Sequence, residues 1–271
     1  MEKRAGTPAH SRRIALALRR FRRASGRSGA EVAAALGVSA SRVSRWETAA
    51  AGIRVEELER LLDHYRVPPP SREALLDAAR RAVGRGGRGD RPEWVDFEED
   101  AAALRNYEPL LVPALLQTAE YARAIIRETG PELSHAEVDA ATARRMARQN
   151  TLTRTKPALL DVLVDQSVLD RPFGDPGTHR RQLRRLADLA ELPNVSVRVI
   201  PTAAGLHPGL TGPFAIVDHV EETSLVLLET RLSTVVLDDE ERVEAFEKTW
   251  TALGDRAFST AKTETYLRGR R

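Results

Sequence analysis

Apolar residues in the first third of the chain recur at helical spacing. Residues 11–23 place Ile14, Leu18 and Phe21 on one side of a helix, with arginines on its other faces. Four further helical patterns follow at residues 29–36, 40–49, 54–65 and 72–83. The N-terminal part of the chain is therefore predicted to be an all-α bundle.

Capping residues mark where these helices begin. Ser11 precedes the first helix, Ser28 and Glu31 have the spacing of a capping box, and Ser39 and Ser71 stand before two later helices. Gly37 breaks the apolar pattern between residues 29–36 and 40–49. The sequence thus predicts two short helices joined by a tight turn.

From Trp94 onward the pattern becomes mixed. Helices are predicted at about residues 94–104 and 179–192, with others ending near residues 128 and 149 and a terminal helical segment starting near 238. Short β-branched runs bounded by Pro, Gly, Asn or Asp predict strands. These runs are residues 158–165, 194–201, 212–219, 224–231 and 234–238. We expect an α+β domain with a mixed or antiparallel sheet of about five strands.

A run rich in Gly and Arg separates these two parts. Residues 84–90 read "GRGGRGD", a composition typical of a flexible linker. The predicted organisation is a helical domain at 1–70, a connector helix with this linker at 71–93, and an α+β domain at 94–271. The helix at 72–83 is either a variable extra helix of the bundle or part of the connector.

The net charge of +3 hides an asymmetry along the chain. Residues 1–90 hold 19 Arg and Lys against 10 Asp and Glu, whereas residues 91–271 hold 23 against 29. A basic segment of this kind favours a polyanionic partner, although clustered arginines also occur as an ordinary solvated face. The absence of Cys excludes disulfides, thiolate metal sites and a thiol nucleophile. With no apolar run long enough to span a membrane and no secretory leader at the N-terminus, we expect a cytoplasmic protein.

The segment from Gly29 onward satisfies the steric demands of a helix-turn-helix. Such a unit needs a small residue where its helices touch, a residue that tolerates positive φ in the turn, and an apolar residue on the second helix. Ala33, Gly37 and Val43 supply these three. The residues that then face outward near the start of the second helix, spanning 39–48, are Ala40, Ser41, Ser44 and Arg45.

Residues 11–66 resemble the Cro/CI type of helix-turn-helix, often called the Xre family. The resemblance implies that Ala40, Ser41 and Arg45 face DNA bases and that Ser28 and Gly29 contact a phosphate. Gly29 stands where the family usually has Gln, so this phosphate contact is left to a backbone N–H. The resemblance also implies a buried ion pair between Arg22 and Glu47.

The residue types fit these roles. Arg45 can contact the O6 and N7 atoms of a guanine, and Ser41 and Ser44 can contact a base or a phosphate. A separate set of positions is expected to contact phosphates: Arg27, Ser28, Gly29, Ser39, Arg42 and Arg54. Proteins of this type bind double-stranded DNA as dimers, so a homodimer is expected. The alternative is a protein-binding bundle with an Arg-rich surface.

Residues 94–267 resemble the domain of unknown function that follows such a helix-turn-helix in many actinobacterial regulators. Several short motifs carry this resemblance: Glu108-Pro109, Leu115-Leu116-Gln117-Thr118, Tyr121-Ala122 and Gly212-Pro213-Phe214. The resemblance implies a transcription factor whose second domain receives a small partner protein encoded nearby. Whether that domain also binds a small molecule stays open at this stage.

Motifs for catalysis are missing from the sequence. It contains no phosphate-binding Gly loop followed by Lys-Ser or Lys-Thr, no G-x-S-x-G and no H-E-x-x-H, so no enzymatic activity, metal or cofactor is predicted. His207 and His219 are expected to be surface or hydrogen-bonded residues. Tyr107, Gln117 and Tyr121 carry polar tips that either line a pocket or are satisfied within the core. The loop "LHPGLTGPF" is similarly either a set of turns or the lining of a ligand site.

The sequence as a whole predicts a DNA-binding transcriptional regulator. Its second domain is expected to dimerise and to sense a signal or a partner. The other hypothesis is a DNA-tethered, antitoxin-like protein whose second domain binds a small partner protein.

Overall fold

The chain forms two compact units. The structure, a computed structural model, describes residues 9–84, 95–98, 101–130, 133–219, 224–229 and 234–270. The first unit extends to Ala101 and also includes Asp218, His219 and Thr234, and the second contains the other described residues from Ala102 onward. Of the predicted Gly/Arg linker, Gly84 is the last residue of a helix, and residues 85–90 lie outside the described residues.

Up to Ala101, the regular secondary structure among the described residues of the first unit is helical, as predicted. Its core combines apolar side chains from five helices, including Leu18, Val32, Trp46, Leu58 and Leu75. The helices are α1 Ala9–Ala24, α2 Gly29–Leu36, α3 Ala40–Glu47, α4 Val55–His64, α5 Pro69–Gly84 and the short α6 Val95–Glu98. Since α5 contributes Leu75 to this core, it is an integral helix of the bundle.

Two predicted helix starts are wrong. Helix α1 begins at Ala9, so Ser11 lies inside it, and α5 begins at Pro69, so Ser71 lies inside that helix. The backbone N–H groups in the first turn of a helix have no acceptor within the helix, so a proline there loses no hydrogen bond. Proline also fixes φ near the helical value. Prolines before Ser71 therefore join α5 instead of stopping it, and the N–H of Arg72 donates to the carbonyl of Pro68 at 2.9 Å.

The second unit is built on a mixed sheet, which confirms the predicted α+β class. The strands of the described chain are β1 Ala103–Glu108, β2 Leu159–Asp165, β3 Val195–Ile200, β4 Phe214–Asp218, β5 Leu225–Glu229 and β6 Thr234–Leu237. Strands β1, β2 and β3 are parallel neighbours, whereas β4 and β5 are antiparallel, and the strand order is β3-β2-β1-β4-β5-β6.

Helices and short 3-10 turns connect and cover these strands. The helices of this unit are α7 Ala119–Thr129, α8 His135–Ala147, α9 Gln166–Asp170, α10 Pro176–Leu189, α11 Glu240–Gly254 and α12 Thr260–Arg268. The 3-10 turns lie at Ala114–Leu116, Arg148–Leu152, Thr202–Ala204 and Pro208–Thr211. One buried cluster joins the sheet residues Tyr107, Leu163 and Phe214 to Trp250 and Leu253 of α11.

Strand β1 corrects the predicted helix over residues 94–104. Among the described residues of that range only Val95–Glu98 is helical, and Ala103–Glu108 pairs in parallel with β2, Tyr107 lying opposite Leu163. The segment contains Ala, Leu, Arg and Glu, which favour helices in isolation. Its place between β2 and β4 overrides that local preference, because the strand completes the sheet ladder on both sides. The five predicted strands are confirmed as β2 to β6.

Candidate nucleic-acid interface

The turn between α2 and α3 has the geometry that its sequence predicts. Gly37 adopts the left-handed conformation with φ 68°, its N–H donates to the carbonyl of Ala34, and the N–H of Val38 donates to the carbonyl of Ala33. These two bonds form a Schellman motif, which ends α2 sharply. Ala33 and Val43 are both buried at the contact between the helices. The turn therefore fixes how α3 leaves α2.

Helix α3 has one anchored face and one exposed face. Val43 and Trp46 are buried in the bundle core, and the Ser39 hydroxyl caps the helix by accepting from the N–H of Arg42 at 3.2 Å. The exposed residues of the helix are Ala40, Ser41, Arg42, Ser44 and Arg45. All four residues that the sequence assigns to base contacts thus lie on the exposed face.

Arg22 and Glu47 form a two-pronged ion pair. Arg22 donates from Nε to Glu47 Oε1 at 2.7 Å and from Nη2 to Oε2 at 2.9 Å, and its Nη1 donates to the carbonyl of Arg27 at 3.1 Å. The hydrogen bond to Glu47 raises the pKa of the Arg22 guanidinium further above its ordinary value. This pair ties α1 to the end of α3 and to the segment that precedes α2.

Arg45 and Arg42 are held in different ways. The Nε of Arg45 donates to the carbonyl of Ser41 at 3.3 Å, which lays the side chain along the exposed face of α3. Arg42 lies 2.5 Å from a carboxylate oxygen of Glu57 on α4, and its guanidinium stands 5.4 Å from the centre of the Trp46 ring. Sequence reasoning did not find Glu57, because nothing in the sequence links two residues 15 positions apart on different helices.

Ser28, another predicted phosphate contact, already has a partner within the protein. The Ser28 amide and hydroxyl both donate to Glu31 Oε2, at 2.7 and 2.8 Å, so a phosphate at this helix start competes with that carboxylate. The hydrogen bonds from Ser28 lower the pKa of Glu31, which keeps it charged. Gly29 is the first residue of α2, and Arg54 is the exposed N-cap residue of α4.

Arg27 contacts a histidine that the sequence did not single out. Its Nη1 lies 2.6 Å from Nε2 of His64, at the end of α4. Burial lowers the pKa of His64, and the positive charge of Arg27 lowers it further. A neutral imidazole can accept this hydrogen bond, and so it can hold Arg27 beside the start of α2.

In the second unit, two of the three side chains that were predicted either to line a pocket or to be hydrogen-bonded in the core, Gln117 and Tyr121, have hydrogen-bond partners within the fold. Gln117 donates to the carbonyl of Val112 at 2.7 Å, and the Tyr121 hydroxyl accepts from the N–H of Val112 at 3.1 Å. Gln182 of α10 binds the same turn through the N–H of Thr118. The motif at residues 115–121 is therefore part of the structural framework.

Tyr107 and His207 differ from these residues. The Tyr107 hydroxyl and the His207 Nδ1 are buried without a hydrogen-bond partner. His207 Nε2 lies 3.5 Å from a carboxylate oxygen of Asp165. His219 is also buried and belongs to the first unit. The expectation of surface or satisfied histidines is thus wrong for His207, whose Nδ1 is neither exposed nor hydrogen-bonded.

Comparisons with known families agree with the two-part organisation. Residues 13–75 match a helix-turn-helix domain, and residues 92–269 match the domain of unknown function DUF5753. Curated proteins and solved structures yield no match. Within the part of the chain that the structure describes, no helix has the length and apolar character needed to span a membrane. The match to DUF5753 covers more than half of the chain. The chain therefore belongs to the DUF5753 family, and it carries a helix-turn-helix domain ahead of that domain.

Proposed function

We propose that this protein is a sequence-specific, DNA-binding transcriptional regulator of the Xre type, and not an enzyme. Helix α3 enters the major groove of double-stranded DNA, with Arg45 contacting guanine and Ala40, Ser41 and Ser44 facing neighbouring bases. The observation that carries the proposal is the exposed face of α3, whose opposite face is anchored by Val43 and Trp46. The basic charge of residues 1–90 supports it.

The phosphate contacts surround this helix. Arg42, Arg27 and Arg54 are exposed, and each lies on α3 or next to the start of α2 or α4. Contacts of this kind give affinity without sequence preference and make binding dependent on salt. In this proposal Arg45 provides specificity, while Arg42 and Arg27 provide affinity.

Binding to the DNA upstream of its own gene, measured across a salt series, tests the proposal. We expect Arg45→Ala to lose about 1–3 kcal/mol of discrimination between that DNA and an unrelated sequence. Arg42→Ala is expected to weaken binding to both sequences and to flatten the salt dependence. Arg184→Ala, which removes an exposed arginine from α10 of the second unit, is the matched control and is expected to change neither quantity. Unchanged specificity in Arg45→Ala would refute the proposed mode of binding.

We also propose that the protein acts in the cytoplasm as a homodimer held together by its second domain. Dimers of this type place two recognition helices in successive major grooves, about 34 Å apart. A fragment of residues 1–84 retains all five main helices of the bundle core, α1 to α5. We expect it to be monomeric and to bind the DNA more weakly than the full chain. Full-strength binding by this fragment contradicts dimerisation through the second domain.

A second candidate function is an antitoxin-like role, in which the second domain binds a small partner protein encoded nearby. Two leucines on the same loop favour it, since Leu206 is 89% exposed and Leu210 is 56% exposed. Exposed apolar residues close together are common at protein interfaces. Co-expression with the neighbouring small protein tests this candidate: a complex formed by the wild type and lost in Leu206→Ser with Leu210→Ser supports it, and its absence in both contradicts it.

A further inference from the structure

Several buried polar atoms among the described residues of the second unit lack a hydrogen-bond partner, and two of them belong to neighbouring rings, those of Tyr107 and His207. The Tyr107 hydroxyl belongs to a fully buried side chain, and His207 Nδ1 belongs to one that is only 3% exposed. Burying an unsatisfied polar group costs stability, so native proteins keep few of them. Tyr121 of the same unit is also buried, and its hydroxyl accepts a hydrogen bond from the backbone N–H of Val112. The Tyr107 hydroxyl therefore calls for an explanation that Tyr121 does not.

These atoms lie at the carboxyl end of the parallel strands, where ligands commonly bind. Tyr107 is the penultimate residue of β1, and Asp165 is the last residue of β2, its parallel neighbour. The loop of residues 201–213, which follows β3, brings His207 to the same place. Ligands of open α/β sheets bind beyond the carboxyl ends of parallel strands, where the strand order reverses. Here the order reverses at β1, which has β2 on one side and β4 on the other.

The loop covers the Tyr107 ring with its backbone. The ring centres of Tyr107 and His207 are 6.3 Å apart at 88°, and Phe214 flanks Tyr107 at 5.7 Å. A Cβ added at Gly209 would stand 2.5 Å from two carbons of the Tyr107 ring, so no other residue fits there without displacing the loop. His207 and Gly209 thus face the interior, while their neighbours Leu206 and Leu210 are exposed. The Tyr107 and His207 rings therefore lie side by side beneath this loop.

Asp165 determines which chemistry the histidine offers. One Asp165 oxygen accepts from the N–H of Ser167 at 2.9 Å, and the other faces His207 Nε2 at 3.5 Å. A carboxylate only accepts hydrogen bonds, so it favours the proton on Nε2 and leaves Nδ1 as an acceptor. Burial, aided by the charge of Asp165, raises the pKa of the Tyr107 phenol, which keeps its proton. Tyr107 is therefore available as a donor and His207 as an acceptor.

We propose that Tyr107 and His207 bind the hydroxyl group of a small, uncharged molecule with an apolar body. A hydroxyl accepts from Tyr107 and donates to His207 at once, which fits the donor and acceptor that the protein leaves unused. The aromatic ring of Phe214 and the apolar side chains of Leu163 and Ile200 suit an apolar body. An anion is disfavoured by Asp165. A metal ion does not fit, because no three His, Asp or Glu side chains among the described residues converge as ligands. This site goes beyond the proposed DNA binding and does not depend on it.

Saturation-transfer NMR on the full-length protein tests the site with three probes of similar shape: benzyl alcohol, toluene and benzylamine. We expect the wild type to bind benzyl alcohol about tenfold more tightly than toluene, which corresponds to one good hydrogen-bonding group. Tyr107→Phe is expected to bind both equally and weakly. Tyr121→Phe, which alters a tyrosine hydroxyl that already has a partner, is the matched control and is expected to keep the preference.

The opposite results overturn the proposal. Equal binding of benzyl alcohol and toluene by the wild type, stronger binding of benzylamine, or no binding of any probe each refutes the hydroxyl site. Retained preference in Tyr107→Phe refutes the role of that residue. Thermal unfolding of each variant shows whether it is folded, and the readout contains no DNA. Failure of the site and failure of DNA binding are therefore separate outcomes.

Discussion

The Arg42 guanidinium lies 2.5 Å from the Glu57 carboxylate. The negative charge of Glu57 therefore stands beside a cation that we propose contacts a DNA phosphate. Glu57 also accepts from the N–H of Arg54 through its other oxygen, at 3.3 Å, and thereby caps α4. The Arg42 side chain is 45% exposed and that of Glu57 is 20% exposed. Phosphate and Glu57 therefore compete for Arg42 at a solvated surface.

Glu57→Gln is expected to strengthen DNA binding. The change releases Arg42 and removes one negative charge, while Gln can still cap α4. Because an exposed ion pair contributes at most about 1 kcal/mol, we expect a gain of about twofold to fivefold in affinity, together with a steeper salt dependence. Titration of the upstream DNA at several salt concentrations measures both. Glu56→Gln, at an exposed neighbour, is the control for charge alone. Weaker binding by Glu57→Gln would show that Glu57 positions Arg42 for DNA.

Gly37→Ala is expected to destabilise the first unit, whereas Gly29→Ala is not. Nothing lies within 4 Å of a Cβ added at either glycine, so neither change creates a clash. Gly37 has φ 68°, and the left-handed conformation costs an alanine about 1–2 kcal/mol. Gly29 begins α2 with no positive φ, and alanine there restricts the unfolded chain. Urea unfolding of residues 1–84, followed by the fluorescence of Trp46, the one tryptophan of that fragment, compares them. Equal stability of the two variants contradicts this account.

His64 is expected to make the stability of the first unit depend on pH. Its pKa in the folded state lies below the ordinary value of 6.5, because burial and Arg27 disfavour its charged form. The unfolded chain therefore takes up a proton first as pH falls below about 6.5, and stability decreases from there through the folded pKa. Urea unfolding of residues 1–84 at pH 7.5 and pH 5.5 measures the loss. His64→Gln is expected to lose less stability over the same interval, and an equal loss in both would exclude His64 as the cause.

Tyr121→Phe is expected to destabilise the protein, whereas Tyr107→Phe is not. The Tyr107 hydroxyl has no partner, so its removal is expected to leave the free energy of unfolding unchanged or to raise it. Removal of the Tyr121 hydroxyl strips the N–H of Val112 of its acceptor and is expected to cost about 1–3 kcal/mol. Thermal unfolding of the full chain, followed by circular dichroism, compares the two. Destabilisation by Tyr107→Phe equal to that by Tyr121→Phe would indicate that the Tyr107 hydroxyl is satisfied after all.

Local features of the fold could be predicted from the sequence. The capping box at Ser28, the cap at Ser39 and the turn at Gly37 each depend on residues within five positions of one another. Strands β2 to β6 were visible for the same reason, because their β-branched runs are bounded by turn residues. The exposed face of α3 could be predicted from helical periodicity, because the turn at Gly37 fixes where the helix begins.

Features that depend on residues far apart in the sequence could not be predicted from local patterns. Strand β1 has the composition of a helix, and its pairing with β2 and β4 decided its conformation. The Arg42–Glu57 contact joins α3 to α4, and the Arg27–His64 contact joins the segment before α2 to α4, so both depend on how the packed core orients α4. The juxtaposition of Tyr107 with His207, 100 positions later, arises because a loop after β3 returns to β1. The sequence alone therefore determined the helix-turn-helix and its exposed face, because their hydrogen bonds are local. Only the tertiary structure decided which charges oppose that face and which polar atoms stay unpaired in the core.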